Sequence, residues 1–235
     1  MNTYVFVHGE WHGGWCWHKV VPLLSQAGHK AVAFDLPGHG QDKTSLLDVT
    51  LESYIRRACQ VVEAQSGPVI LVGHGMAGLV LSEVAEACPQ KIKTLVYLSA
   101  FLLPNGHSFL ESVARDPHVP PPGVMDATGT FLTLPEDKLI DMLYNDCCPS
   151  DIEDARRHIT PEPFAPMLTP IHITVANFGS MPRIYIQTLR DQMLPLSSQK
   201  RFYTTVPCHK ILSLNTGHAP FYSAPQDLVK HLLSL

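Results

Sequence analysis

The sequence predicts a doubly wound, mostly parallel α/β sheet, and three observations predict it. Short runs of β-forming residues alternate with segments of helical spacing. The runs are apolar almost throughout, as strands buried on both faces require. One long stretch, Pro104 to Pro170, breaks the alternation and reads as an insertion into it.

Thr3 to His8 is the first strand, and Trp15 to Ala27 has the spacing of the helix after it. Ala31 to Asp35 and Leu51 to Gln65 repeat the unit, then Val69 to Gly73 and Met76 to Cys88. Thr94 to Ser99 is the fourth strand. Beyond the insertion come strands at Arg183 to Thr188 and Lys210 to Leu214, with helices at Leu196 to Thr205 and Pro225 to Leu235. Pro225 suits a first helical position, where an amide has no partner to lose. Parallel neighbours joined this way cross over right-handedly. The insertion holds 11 of the 20 prolines and no convincing strand, but helical fragments at Glu136 to Tyr144 and Ser150 to His158. Phe109, Val113, Phe131, Leu139 and Phe164 make it apolar. A structureless loop of that length is rare, so residues 104–170 are expected to form a helical cap. Residues 1–103 and 171–235 are then the core. The alternative is a run of connecting helices over one sheet face.

Composition narrows the function. The 235 residues are 45% hydrophobic and 16% charged, which excludes global disorder. Lys+Arg 17 against Asp+Glu 21 gives a net charge of −4 without a basic block, so no nucleic-acid partner is expected. No apolar run approaches the roughly 20 residues of a membrane span, and Met1-Asn2-Thr3 shows no secretory signal. The six cysteines are scattered apart from Cys147-Cys148 and form no CxxC, which points to free thiols and a cytoplasmic location. No metal and no cofactor is implied.

Ligands of open α/β sheets bind beyond the C-terminal strand ends. There the sequence places His8-Gly9-Glu10-Trp11-His12-Gly13-Gly14, then Gly73-His74-Gly75-Met76-Ala77-Gly78, Asp191, and Gly217-His218. With Trp15-Cys16-Trp17, Asp35-Leu36-Pro37-Gly38-His39-Gly40 and Val96-Tyr97-Leu98-Ser99-Ala100-Phe101, this pattern resembles the small α/β-hydrolases. That group includes plant methylesterases, hydroxynitrile lyases and bacterial pyrethroid-type esterases, and the resemblance covers essentially the whole chain.

The resemblance implies an α/β-hydrolase fold and an esterase site acting on a small hydrophobic ester or related carbonyl substrate. His218 is the implied general base, held by Asp191, and the amides of Glu10 and Met76 are the implied oxyanion donors. The chain departs from the group's G-x-S-x-G elbow: Gly75 stands where the serine belongs, and Ala77 where the second glycine belongs. Without an Oγ there is no attack on a carbonyl. The leading expectation is therefore a carboxylic-ester hydrolase whose nucleophile has been replaced by glycine, most simply by deliberate inactivation, with Gly75→Ser creating activity. A natural serine-less enzyme of this fold is the alternative, for which methylketone synthase, decarboxylating 3-keto acids, is the group's precedent. The third reading is a non-catalytic ligand-binding protein. Hydroxynitrile lyases carry a lysine after the catalytic histidine, where this chain has Ala219. His12, His74 and Ser99 are candidate pocket residues, with Ser99 also weighed as a displaced nucleophile. Trp11, Trp15 and Trp17 read as packing, Asp35 and His39 as order for the second loop, and Cys147-Cys148 as inert.

Overall fold

The structure, a computed structural model, describes residues 1–235. Strands β1 (Thr3–Val7), β2 (Lys30–Ala33), β3 (Val69–Gly75) and β4 (Ile92–Ala100) open the chain. Three very short strands follow: β5 (Val124–Met125), β6 (Phe131–Thr133) and β7 (Glu162–Pro163). Strands β8 (Arg183–Thr188) and β9 (Lys210–Leu214) complete the set. The helices are α1 (Val20–Gln26), α2 (Leu51–Glu63), α3 (Ala77–Ala87) and α4 (Phe109–Ala114). They continue as α5 (Glu136–Lys138), α6 (Pro149–His158), α7 (Ala165–Leu168), α8 (Leu196–Thr205), α9 (Pro220–Ser223) and α10 (Pro225–Leu233).

Six strands form one parallel sheet in the order β2-β1-β3-β4-β8-β9. Winding reverses between β1 and β3, and sheets of this kind bind ligands beyond the C-terminal ends of the strands at such a switch point. Side-chain alternation divides the core. Tyr4 and Phe6 pack with Trp17, Leu24, Leu228 and Leu232 on the α1/α10 face. Val5 and Val7 pack with Tyr54, Val62, Leu79 and Val84 on the α2/α3 face. No helix is long and apolar enough to cross a membrane.

Two expectations change. The first helix is not continuous from Trp15: Gly14–Trp17 is a 3₁₀ turn and α1 starts afresh at Val20. Pro22 is the reason. A helix begun at Trp15 would hold it in the interior, at a cost of about 3 kcal/mol, whereas a start at Val20 places it in the first turn. The second change lies in residues 104–170, which are not wholly helical: β5, β6 and β7 pair as a small antiparallel sheet. Its hairpin is organised by Asp126, whose carboxylate accepts the amides of Thr128, Thr130 and Phe131 at 2.8, 2.7 and 2.9 Å. Strands of two or three residues are too short for periodicity to register.

Candidate active site

The site assembles from four loops at the C-terminal strand ends. After β3 the chain turns sharply into α3, and Gly75 at the turn has φ +57°. That left-handed conformation favours glycine. Behind it, Gly78 lets α3 lie against the Phe101 carbonyl, which any Cβ would strike.

Asp191, beyond β8, is fully engaged. One oxygen accepts the amides of Met193 at 2.9 Å and Leu194 at 2.8 Å. The other accepts Thr188 Oγ1 at 2.7 Å, the Ser99 hydroxyl, and His218 Nδ1 at 2.8 Å. Burial alone would raise the Asp191 carboxyl, but His218 and the Ser99 and Leu194 donors outweigh it and hold it below the ordinary range. Burial likewise favours neutral His218, and the Asp191 carboxylate overrides it, so the imidazole titrates above its usual value. Ser99, at φ +40°, lies on the Asp191 side of this ring, 3.5 Å from Nδ1. A nucleophile belongs at Nε2; Ser99 instead faces Asp191 and Nδ1.

His74 donates from Nε2 to the His218 carbonyl at 2.9 Å, and its ring centroid lies 4.3 Å from that of His218. Burial holds His74 neutral. His12 has both nitrogens occupied, donating to the Glu10 carbonyl at 2.6 Å and accepting the Tyr144 hydroxyl at 2.6 Å. Burial pushes it down to about 4. Both histidines support the loops that carry Glu10 and His218. Trp11 and Trp17 are buried core residues. Asp35 accepts the amides of Gly14 at 2.7 Å and Gln41 at 2.9 Å, tying the first loop to the second. Burial pushes the Cys147 thiol up to about 12.

Glu10 enters the site through its side chain as well as its main chain. The Met76 amide, implied as an oxyanion donor, donates to Glu10 Oε2 at 2.9 Å. A Cβ on Gly75 would overlap that same oxygen and lie 3.3 Å from Glu10 Cδ. Burial pushes the Glu10 carboxyl up to about 7, against the stabilising Met76 amide, its own amide and His218.

A second acid escaped the sequence reading altogether. Glu162 on β7 accepts His39 Nε2 at 2.8 Å, the Trp11 amide at 2.9 Å and the Tyr54 hydroxyl at 3.3 Å. His39 therefore does more than order its own loop: it fastens that loop to residues 104–170. An isolated glutamate in a proline-rich stretch offers no periodicity by which to find it.

Comparison with known proteins bears on this arrangement. Residues 4–231 match the alpha/beta hydrolase family. A protein of Arabidopsis thaliana named as a chloroplastic methylesterase, number 11, is 33% identical over all of this chain, which spans 64% of that protein. For two further chloroplastic relatives the chain spans 56% of their length. Methylesterase 7 of the same plant is 30% identical, with 100% of this chain and 96% of that protein covered. Among solved structures, a pyrethroid hydrolase superposes with a TM-score of 0.89 at 28% identity, covering 100% of this chain and 96% of the other.

Proposed function

The chain belongs to the alpha/beta hydrolase family, within its esterase group, and from that premise we propose that it binds a small hydrophobic ester or related neutral carbonyl compound without seryl acyl transfer. One observation carries the reading: a complete His218–Asp191 pair, closed at 2.8 Å, stands at an elbow whose residue is Gly75. The pair supplies a base and its orienting acid, and glycine supplies no hydroxyl to activate. The retained pair is what the alternative, a serine-less proton-transfer enzyme of this fold, would use, and measured carbon dioxide release tests it. The similar esterases support an uncharged ligand.

The test is to incubate the protein with hydrophobic aryl esters and with 3-keto acids, following bound ester, released phenol and released carbon dioxide. Saturable ester binding, phenol release near background and no excess carbon dioxide are expected. Rapid carbon dioxide release that His218→Ala abolishes would replace this reading with a decarboxylase. Absence of ester binding would remove the carbonyl ligand.

A further inference from the structure

The elbow of a seryl hydrolase needs two things kept clear: room for a side chain on the elbow residue, and amides facing the carbonyl oxygen. In this chain one residue takes both. Glu10 Oε2 lies where a Cβ on Gly75 would be and accepts the Met76 amide at 2.9 Å. Glu10 is 4% exposed. Its carboxylate makes no ion pair with Lys or Arg; its charged neighbours are His218, beyond β9, and Glu162 on β7. Glu10 and Gly75 fit each other as a pair.

We propose that Glu10 is the specificity-determining residue of this site: its carboxyl group, seated in the place of a nucleophile's side chain, excludes anionic acyl ligands and admits neutral carbonyl compounds that take over the Met76 amide. This rests on the site being a carbonyl-binding one. A neutral ester or ketone needs one hydrogen-bond donor, which it gains as Glu10 turns aside. A carboxylate arriving at the same amide sets a second negative charge beside the first, in a buried region where repulsion is poorly screened. The same seating puts Glu10 in the way of a serine at position 75, which must displace it from the Met76 amide before acting, so shortening Glu10 should speed that serine's reaction.

The experiment has two arms. In the first, the chain and its Glu10→Gln variant are titrated at pH 8 with phenylacetate and with methyl phenylacetate, followed by calorimetry. The parent protein should bind the ester at least tenfold more tightly than the acid. Glu10→Gln keeps size and an acceptor while losing charge, and should bring the two within threefold. In the second arm, Gly75→Ser and Glu10→Ala/Gly75→Ser are exposed to a fluorophosphonate, and labelling is followed by mass spectrometry. The double variant should label at least 100-fold faster. An unchanged acid-to-ester ratio in Glu10→Gln overturns the proposal. So does labelling of Gly75→Ser at the rate of the double variant, or no labelling of either. Failure of both ligands to bind any variant sinks the carbonyl-site reading, and the labelling ratio still decides the role of Glu10.

Discussion

Two buried carboxylate–histidine pairs stand at the same end of the sheet with the same 2.8 Å separation, Asp191–His218 and Glu162–His39. They differ in the second ring nitrogen. His39 sets Nδ1 against the Pro37 carbonyl at 3.1 Å and the Tyr54 hydroxyl at 3.4 Å, and Nε2 against Glu162, so both nitrogens are engaged. His218 spends only Nδ1, on Asp191, and no protein group engages Nε2. The first pair is closed and fastens β7 to the core, while the second leaves one nitrogen free of protein partners. A short, buried acid–histidine contact is thus by itself no mark of catalysis.

The largest expected effect breaks the two pairs apart by activity. In Glu10→Ala/Gly75→Ser, adding His218→Ala should lower aryl-acetate hydrolysis by roughly 10³-fold or more, since triad members act as a unit. Adding His39→Ala there should change it less than about tenfold. Equal losses would mean that the closed pair also handles protons.

Stability should order them the other way. Glu162→Ala strands the His39 ring, the Trp11 amide and the Tyr54 hydroxyl together. Breaking such a pair should cost about 3–5 kcal/mol in urea titration and expose residues 104–170 to proteolysis.

The pH dependence sharpens the contrast. His39 is raised by Glu162 against the effect of burial, as His218 is by Asp191. A raised folded value means that each contribution is whole below about 6.5 and is lost as pH climbs through the folded value. Glu10, raised by burial to about 7, adds in the same direction, because charging it opposes folding as pH rises from its ordinary value toward 7. Denaturation midpoints should therefore fall from pH 6 to pH 8. Glu10→Gln should remove part of that fall, on the order of a few kcal/mol at most. In an imidazole NMR titration, Glu162→Gln should lower His39 while His218 stays; joint movement would mean that the pairs are coupled.

The smallest effects come from trimming one donor on each side. Tyr54→Phe and Ser99→Ala should each cost about 1 kcal/mol of stability. Only Ser99→Ala should also slow hydrolysis in the double-variant background.

What the sequence discloses follows from where its signals are local. Strand runs, Gly73 to Gly75 at the elbow, and Asp191 and Gly217-His218 at strand ends are each legible within a few neighbouring residues. The Glu10 side chain was not, because the loop motif specifies a main-chain donor, and the direction of this carboxylate depends on a missing Cβ at Gly75. Glu162 lies 123 residues from His39, and no spacing rule joins them. The small β5-β6-β7 sheet depends on the Asp126 turn rather than on an alternating pattern.

The overlap between a Cβ at position 75 and the Glu10 carboxylate also makes the two positions epistatic. A serine introduced at 75 alone competes with Glu10 for the same space. Shortening Glu10 alone leaves the Met76 amide without its acceptor and still offers no hydroxyl. The effect of either substitution therefore depends on the other, and the two together should do more than the sum of the single changes.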